Sequence, residues 1–186
     1  MSKIIIGLVG QIASGKGTAT DYLKEKYNAN SYRFSTMLRD VLDRLYVEQS
    51  RTNLQALSTF VREKYGEDTL AKVIAEDVKN DETDIIVVDG VRRPDDIKYL
   101  KQIPGFILVH VFADMETRLE RISVRGENTD DNKKTLEEFK KEHEQESELK
   151  VSEIAETAPE KIDNNGDYDS LHEQLDQLVK KYAGQN

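Results

Sequence analysis

The sequence predicts an α/β fold with a mainly parallel sheet, and three observations predict it. Lys3–Val9, Asp84–Val88 and Phe106–Phe112 are nearly unbroken aliphatic and β-branched runs, the pattern of strands buried on both faces. Apolar stripes at helical spacing fill the intervals, so strands and helices alternate along the chain. The first run passes directly into Gly10-Gln11-Ile12-Ala13-Ser14-Gly15-Lys16-Gly17-Thr18, and an amphipathic segment, Thr18–Tyr27, follows at once. Strand, glycine-rich loop and helix in that order are the context of a phosphate-binding P-loop.

In such a loop the glycines let the backbone wrap an anion with its N–H groups turned inward. The helix behind it adds a favourable dipole, and the lysine reaches the terminal phosphates. Gly10, Ala13, Ser14, Gly15, Lys16, Gly17 and Thr18 are therefore candidate nucleotide-binding residues, and Lys16 is also the candidate catalytic cation. Many P-loops place a magnesium-binding hydroxyl directly after the lysine. Here Gly17 holds that place and the hydroxyl comes one residue later, at Thr18, the candidate metal ligand.

Ser31–Phe34 is a short second strand. Met37, Leu38, Val41, Leu42 and Leu45 then form a helical stripe, with Ser35 as N-cap and Arg39 on the polar side. Thr52-Asn53-Leu54-Gln55 has capping-box spacing and opens a helix through Leu57, Val61 and Tyr65. Leu70, Ala71, Ile74, Ala75 and Val78 make the next stripe. After the third strand comes Asp89-Gly90-Val91-Arg92-Arg93-Pro94. In parallel α/β folds ligands bind at the carboxyl ends of strands, so Asp89 falls where P-loop proteins keep an acid near magnesium or its water shell. Gly90 admits close backbone approach, and Arg92 and Arg93 suit bidentate phosphate binding. Pro94-Asp95-Asp96 fits the first turn of a helix that stops before Pro104-Gly105.

Past the fourth strand, Arg118, Arg121 and Arg125 share a helical stripe beside the apolar Met115, Leu119 and Ile122. Cations there could neutralise charge migrating between a phosphate donor and acceptor, or they could simply pair with Glu116 or Glu120. Residues 127–150 are densely charged and read either as a solvated surface helix or as a moving lid. Lys161–Asp163 is a short last strand, and Leu171, Leu175, Leu178, Val179 and Tyr182 mark the last helix.

Composition narrows the classes. The chain has 186 residues, enough for one domain with a substantial core, and no cysteine, which excludes disulfides and thiolate metal sites. A net charge of -9, from 27 Lys and Arg against 36 Asp and Glu, argues against sequence-independent nucleic-acid binding. No segment reads as a targeting signal or a membrane span, so the expectation is a cytoplasmic monomer or homodimer whose partner is a small phosphorylated molecule.

Gly15-Lys16-Gly17-Thr18, Ser35-Thr36 followed by Leu38-Arg39, and Asp89-Gly90-Val91-Arg92-Arg93 together resemble the nucleoside monophosphate kinase group of P-loop kinases. Adenylate kinases carry G-x-x-G-x-G-K-G-T, a Ser-Thr segment ending in Leu-Arg, and D-G-x-x-R. Ile162-Asp163-Asn164-Asn165-Gly166 with Leu171 resembles the ending of dephospho-coenzyme A kinases, whose Asn-Gly loop lies near the adenine of ATP. The likeness spans the chain as a mosaic with departures. The Gly-Asp that adenylate kinases place before Met-Leu-Arg is missing, and Arg92 stands where they usually have Pro. No Asp matches the catalytic acid that dephospho-coenzyme A kinases carry after the second strand.

The resemblance implies the P-loop NTPase fold. That means a five-stranded parallel sheet in the order 2-3-1-4-5 with helices on both faces and a short helical lid. It implies one kinase domain over residues 1–186, with an acceptor-binding helical segment at about 35–80 and the lid at about 126–150. It also implies ATP and Mg2+, with the γ-phosphate moved to a phosphorylated acceptor, first among them a nucleoside or deoxynucleoside monophosphate. Lys16, Arg93, Arg121 and Arg125 would be catalytic, and Arg118, Asn165 and Gly166 would join the ATP site. Ser35, Arg39, Asp89, Gly90, Arg92 and Arg93 would hold the acceptor, while Thr18 and, through water, Asp89 would hold the metal. Two alternatives stay open: a dephospho-coenzyme A kinase-like activity, and a regulatory P-loop protein that hydrolyses nucleotide slowly or not at all.

Overall fold

The computed structural model describes residues 3–125 and 146–184, with the side chains at 51, 123–125 and 146–149 left out. The lid expected at about 126–150 therefore lies outside the described residues for most of its length. The strands are β1 (Ile4–Val9), β2 (Asn30–Arg33), β3 (Ile85–Val91), β4 (Phe106–Phe112) and β5 (Glu160–Asp163). The helices are α1 (Lys16–Tyr27), α2 (Phe34–Arg44), α3 (Arg51–Tyr65), α4 (Thr69–Asn80), α5 (Met115–Arg125), α6 (Glu146–Glu156) and α7 (Tyr168–Ala183).

All five strands are parallel, in the order β2-β3-β1-β4-β5. Side chains alternate faces along a strand, and the core divides accordingly. Ile4, Ile6, Leu8, Val87, Val109 and Val111 pack on one face against Ala19 and Leu23 of α1 and Leu171, Leu175 and Leu178 of α7. Ile5, Val9, Ile86, Val88 and Leu108 pack on the other against Ile74 and Val78 of α4 and Val151 and Ile154 of α6. β1 lies at the centre and is buried throughout, which places the loop that follows it mid-sheet at the carboxyl edge.

Several boundaries differ from the sequence-based expectation. β2 runs straight into α2 with Arg33 extended at the cap position, so the helix starts at Phe34 and Ser35 sits inside the first turn rather than capping it. In α3 the cap is Ser50, whose hydroxyl accepts from the Asn53 N–H at 3.2 Å, two residues before the expected box. The segment after Pro94 forms two short 3₁₀ turns, Pro94–Ile97 and Leu100–Gln102, instead of one α-helix. The buried Ile97 and Leu100 stand three residues apart, the repeat of a 3₁₀ turn, and the Asp96 carboxylate folds back on the backbone.

Candidate functional site

The P-loop emerges from β1 and ends on α1. Gly15 is the residue before α1, with φ 98°, and no side chain caps the helix. A left-handed residue there favours glycine, and a Cβ would also collide with the Asn164 amide. At Gly10 a Cβ would collide with the Val111 carbonyl oxygen. The loop is thus closely walled from behind by β4 and by the segment after β5. The first helical bond of α1 is Ala19 N–H to Gly15 O at 3.0 Å. The N–H groups of Lys16, Gly17 and Thr18 therefore precede the intrahelical ladder, as donors for an anion. Ala13, at φ 60°, makes the preceding turn. The Lys16 ammonium donates to the Gly10 and Gln11 carbonyls at 2.7 and 3.0 Å, folded over the mouth of the loop. Nothing lies within 4 Å of where a Cβ at Gly17 would be.

Among the described residues, two side-chain atoms at this loop are buried without a hydrogen-bond partner, Ser14 Oγ and Arg121 Nη1. Arg121, on α5, donates through Nη2 to the Asn164 carbonyl at 2.9 Å, and its Nη1 lies 3.9 Å from the Cβ position of Gly15. Buried polar groups without partners are uncommon and call for an explanation. The Arg121 nitrogen is a buried, unpartnered donor beside the loop.

Asn164, quoted in the C-terminal motif but given no role there, is 5% exposed and ties the C-terminal segment to the loop, its amide donating to Ser14 O at 2.8 Å. Asn165 turns elsewhere, accepting from the Asp114 N–H and donating to Asp163. A Cβ at Gly166 would meet Ser170 at ordinary contact distance. Arg118 is 2% exposed and donates to the Ala113 carbonyl and, at 3.4 Å, to the Ile12 carbonyl, so it braces the loop from within the core. The side chain of Arg125 lies outside the described residues.

β3 continues past the expected boundary at Val88 to Val91. Its pairing with β1 shifts between Leu8↔Asp89 and Val9↔Val91, leaving Gly90 as an extra residue at φ 86°. This bulge sets Asp89 at the carboxyl edge, where its carboxylate is buried and paired with Arg33 Nη2 at 2.5 Å. Arg33 ends β2 directly opposite Asp89. Sequence reasoning missed it, because an arginine at the end of a weak strand carries no signal until strand order places it beside an acid.

The acceptor-side candidates spread from this edge. Asp96, 4% exposed, accepts from the N–H groups of both Arg92 and Arg93, at 2.9 and 3.0 Å. Burial raises its pKa against the lowering effect of those two bonds. The Arg92 and Arg93 side chains are exposed, and the charges of Arg62 and Arg93 also favour the Asp96 carboxylate. Arg93 makes a loose pair with Glu67 at 3.6 Å, and Arg62 of α3 donates to the Glu67 carbonyl at 3.0 Å. Desolvation and then the charge of Arg93 hold Arg62 below its ordinary pKa, which marks the two guanidiniums as neighbours. Arg39 is exposed and donates to Gln49 at 3.0 Å, and Ser35 is half-buried at the start of the same helix. An open groove of about 470 Å³ runs along α3, lined by Thr52, Gln55, Ala56, Thr59, Phe60 and Glu63.

The donor set suits a nucleotide's phosphates: uncapped N–H groups, Lys16, and the open nitrogen of Arg121. Among the described residues no three acids or histidines converge as a metal cage. A divalent cation here would be held largely by phosphate oxygens and water, as Mg2+ commonly is.

The model of a family described as AAA domain matches residues 6–150 of this chain. A UPF0200 protein of Methanothermobacter thermautotrophicus is 24% identical over 184 residues, covering 98% of this chain and 93% of its own length. A UPF0200 protein of Methanothrix thermoacetophila is 33% identical over 129 residues, 69% of each chain. Among solved structures, shikimate kinase from Bacteroides thetaiotaomicron superposes with a TM-score of 0.65 at 12% identity over 97% of this chain and 98% of that one. TT1252 from Thermus thermophilus does so with a TM-score of 0.62 at 18% identity over 97% and 98%. At these identities the structural likeness shows the fold, that of P-loop kinases.

Proposed function

This chain belongs to the AAA-domain family matched over residues 6–150 and to the UPF0200 proteins, and from its site we propose that it transfers the γ-phosphate of ATP to a small phosphorylated acceptor, foremost a nucleoside monophosphate. The observation that carries this proposal is the pairing of a cradled phosphate loop with a second, separate set of cations. Lys16 and Arg121 attend the loop, and Arg92 and Arg93 attend the end of the neighbouring β3, with Arg62 beside Arg93. A hydrolase needs the first set. The second makes sense for a second anionic substrate.

In this account the loop and the start of α1 bind the donor's phosphates and fix the γ-phosphate. Lys16 exchanges the carbonyls of Gly10 and Gln11 for the more strongly accepting phosphate oxygens. Arg121 offers Nη1 to charge that develops as the phosphoryl group moves. Thr18 and Asp89 would hold the water shell of an Mg2+ bound with ATP, which would supply charge neutralisation at the phosphates. Arg93, with Arg92 and Arg39, orients the acceptor phosphate, and proximity and charge neutralisation supply most of the catalysis. Acceptor specificity falls to α2, α3 and α4.

The test is ADP release from ATP and Mg2+ with and without AMP, CMP, UMP, GMP, their deoxy forms and dephospho-coenzyme A. Release stimulated at least tenfold by one of them supports the assignment. Turnover indifferent to all of them places the chain with the regulatory or hydrolytic P-loop proteins.

A further inference from the structure

Arg33 is assigned no role by the P-loop, by the D-G-x-x-R segment or by the likeness to kinases, yet it occupies a notable position. It is the last residue of β2 and lies opposite Asp89 in the parallel register, and Asp89 lies opposite Leu8, one residue before the end of β1. Its side chain runs across Gly90, with Cγ 3.8 Å from where a Cβ would stand. Its guanidinium meets Asp89 Oδ2 at 2.5 Å, the single polar contact of that side chain among the described residues. The two partners differ in exposure, the carboxylate side chain at 8% and the arginine at 48%.

That asymmetry is informative. A buried carboxylate is costly unless paired, so the contact is strongly held from the Asp89 side. An arginine, however, carries five N–H donors on a rigid plane, and one contact leaves most of them unused. Asp89 thus engages one nitrogen of a guanidinium whose side chain stays 48% exposed at the carboxyl end of β2, at the start of the helix that carries Arg39. We propose that Arg33 is an anion-binding residue for the acceptor's phosphate, aimed by Asp89. The assignment of Arg33 as acceptor-side rests on the kinase proposal, whereas the oxyanion site itself does not. Asp89 would then anchor the acceptor's arginine through Oδ2.

Inorganic phosphate is the probe that separates the two claims. The full chain is saturated with adenylyl imidodiphosphate and Mg2+ to fill the P-loop, then titrated with phosphate at constant ionic strength. Binding is followed by calorimetry and by the Nε–H resonance of Arg33. Wild type should show saturable millimolar binding and a shifted Arg33 resonance. Arg33→Gln, which keeps a hydrogen bond to Asp89 without the charge, should bind phosphate at least fivefold more weakly while its affinity for the ATP analogue stays within twofold. Arg33→Lys should fall between. If Arg33→Ala unfolds because it strands a buried carboxylate, Arg33→Gln still decides the matter. Absence of saturable phosphate binding in wild type, or a loss under fivefold in Arg33→Gln, overturns the proposal. If phosphate binds at Arg33 but no acceptor stimulates ADP release, the kinase assignment falls and the oxyanion site stands.

Discussion

Lys16 makes its contacts within the loop to neutral carbonyls, Gly10 and Gln11, and a phosphate oxygen is a stronger acceptor than either. Lys16→Ala should therefore leave the fold intact and slow phosphoryl transfer by about 3 kcal/mol or more, by analogy with the loss of one preorganised donor. Circular dichroism and single-turnover kinetics check both halves. Gly17 offers a complementary test, since the space around its missing Cβ is open. Gly17→Ser should stabilise α1 by roughly 0.5 kcal/mol through helix propensity and lower the Mg2+ concentration needed for half-maximal activity; a higher requirement would mean that Thr18 and Asp89 are not at the metal shell. Much of the site was legible at this scale, because Lys16, Gly15 and Asp89 announce themselves by local spacing. Arg33 and Asn164 were not, since each acts across 56 and 150 residues of sequence and gains meaning only from strand order.

Helix contacts hold the loop from behind, and they can be tested separately from the chemistry. The Asn164 amide joins the stretch between β5 and α7 to Ser14 O. Asn164→Ala should weaken ATP binding about two- to tenfold, the range of one hydrogen bond, with little change in acceptor KM; an unaltered ATP affinity would mean the tie does not shape the loop. Farther along, Asp176 of α7 accepts from Tyr22, Lys26 and Tyr27 of α1. Desolvation pushes its pKa up, but the bonds from Lys26, Tyr22 and Tyr27 outweigh it and hold the pKa down at about 2. A group depressed on folding contributes stability above its unfolded value, near 3.8, and loses it as pH falls toward 2. Thermal stability should drop across that interval, and Asp176→Asn should flatten the drop; equal slopes in the two proteins would contradict the coupling. The helices α1 to α5 and α7 were readable from periodicity, whereas α6, whose buried Val151 and Ile154 lie just past the charged segment, was not, and most helix starts were not. Ser35 and Thr52 have the right chemistry for caps, but the abrupt end of β2 and the better placed Ser50 decide the outcome. After Pro94 the pull of the Arg92 and Arg93 N–H groups on Asp96 selects tight turns over the α-helix that the proline suggested.

At the scale of the whole molecule, the sheet order puts β1 between β3 and β4, so the P-loop, the Asp89–Arg93 segment and the start of α5 meet at one carboxyl edge. Fold class followed from the sequence because long strands buried on both faces leave few alternatives. The acceptor did not, because the residues that would shape its pocket come from α2, α3 and α4, where no motif constrains them. The same layout separates donor from acceptor. Arg93→Ala should raise the acceptor KM and lower kcat/KM about ten- to hundredfold, the loss of a charge-assisted bond worth roughly 1.5–3 kcal/mol, with ATP affinity measured by calorimetry nearly unchanged. Loss of ATP affinity with intact acceptor kinetics would move this arginine to the donor side. The central claim is transfer itself, and it is tested most directly by following the label of [γ-³²P]ATP. Incubated with Mg2+ and the panel of nucleoside monophosphates, the wild-type chain should move label into a nucleoside diphosphate, and Lys16→Ala should not. Label appearing only as inorganic phosphate, whatever acceptor is present, would contradict it.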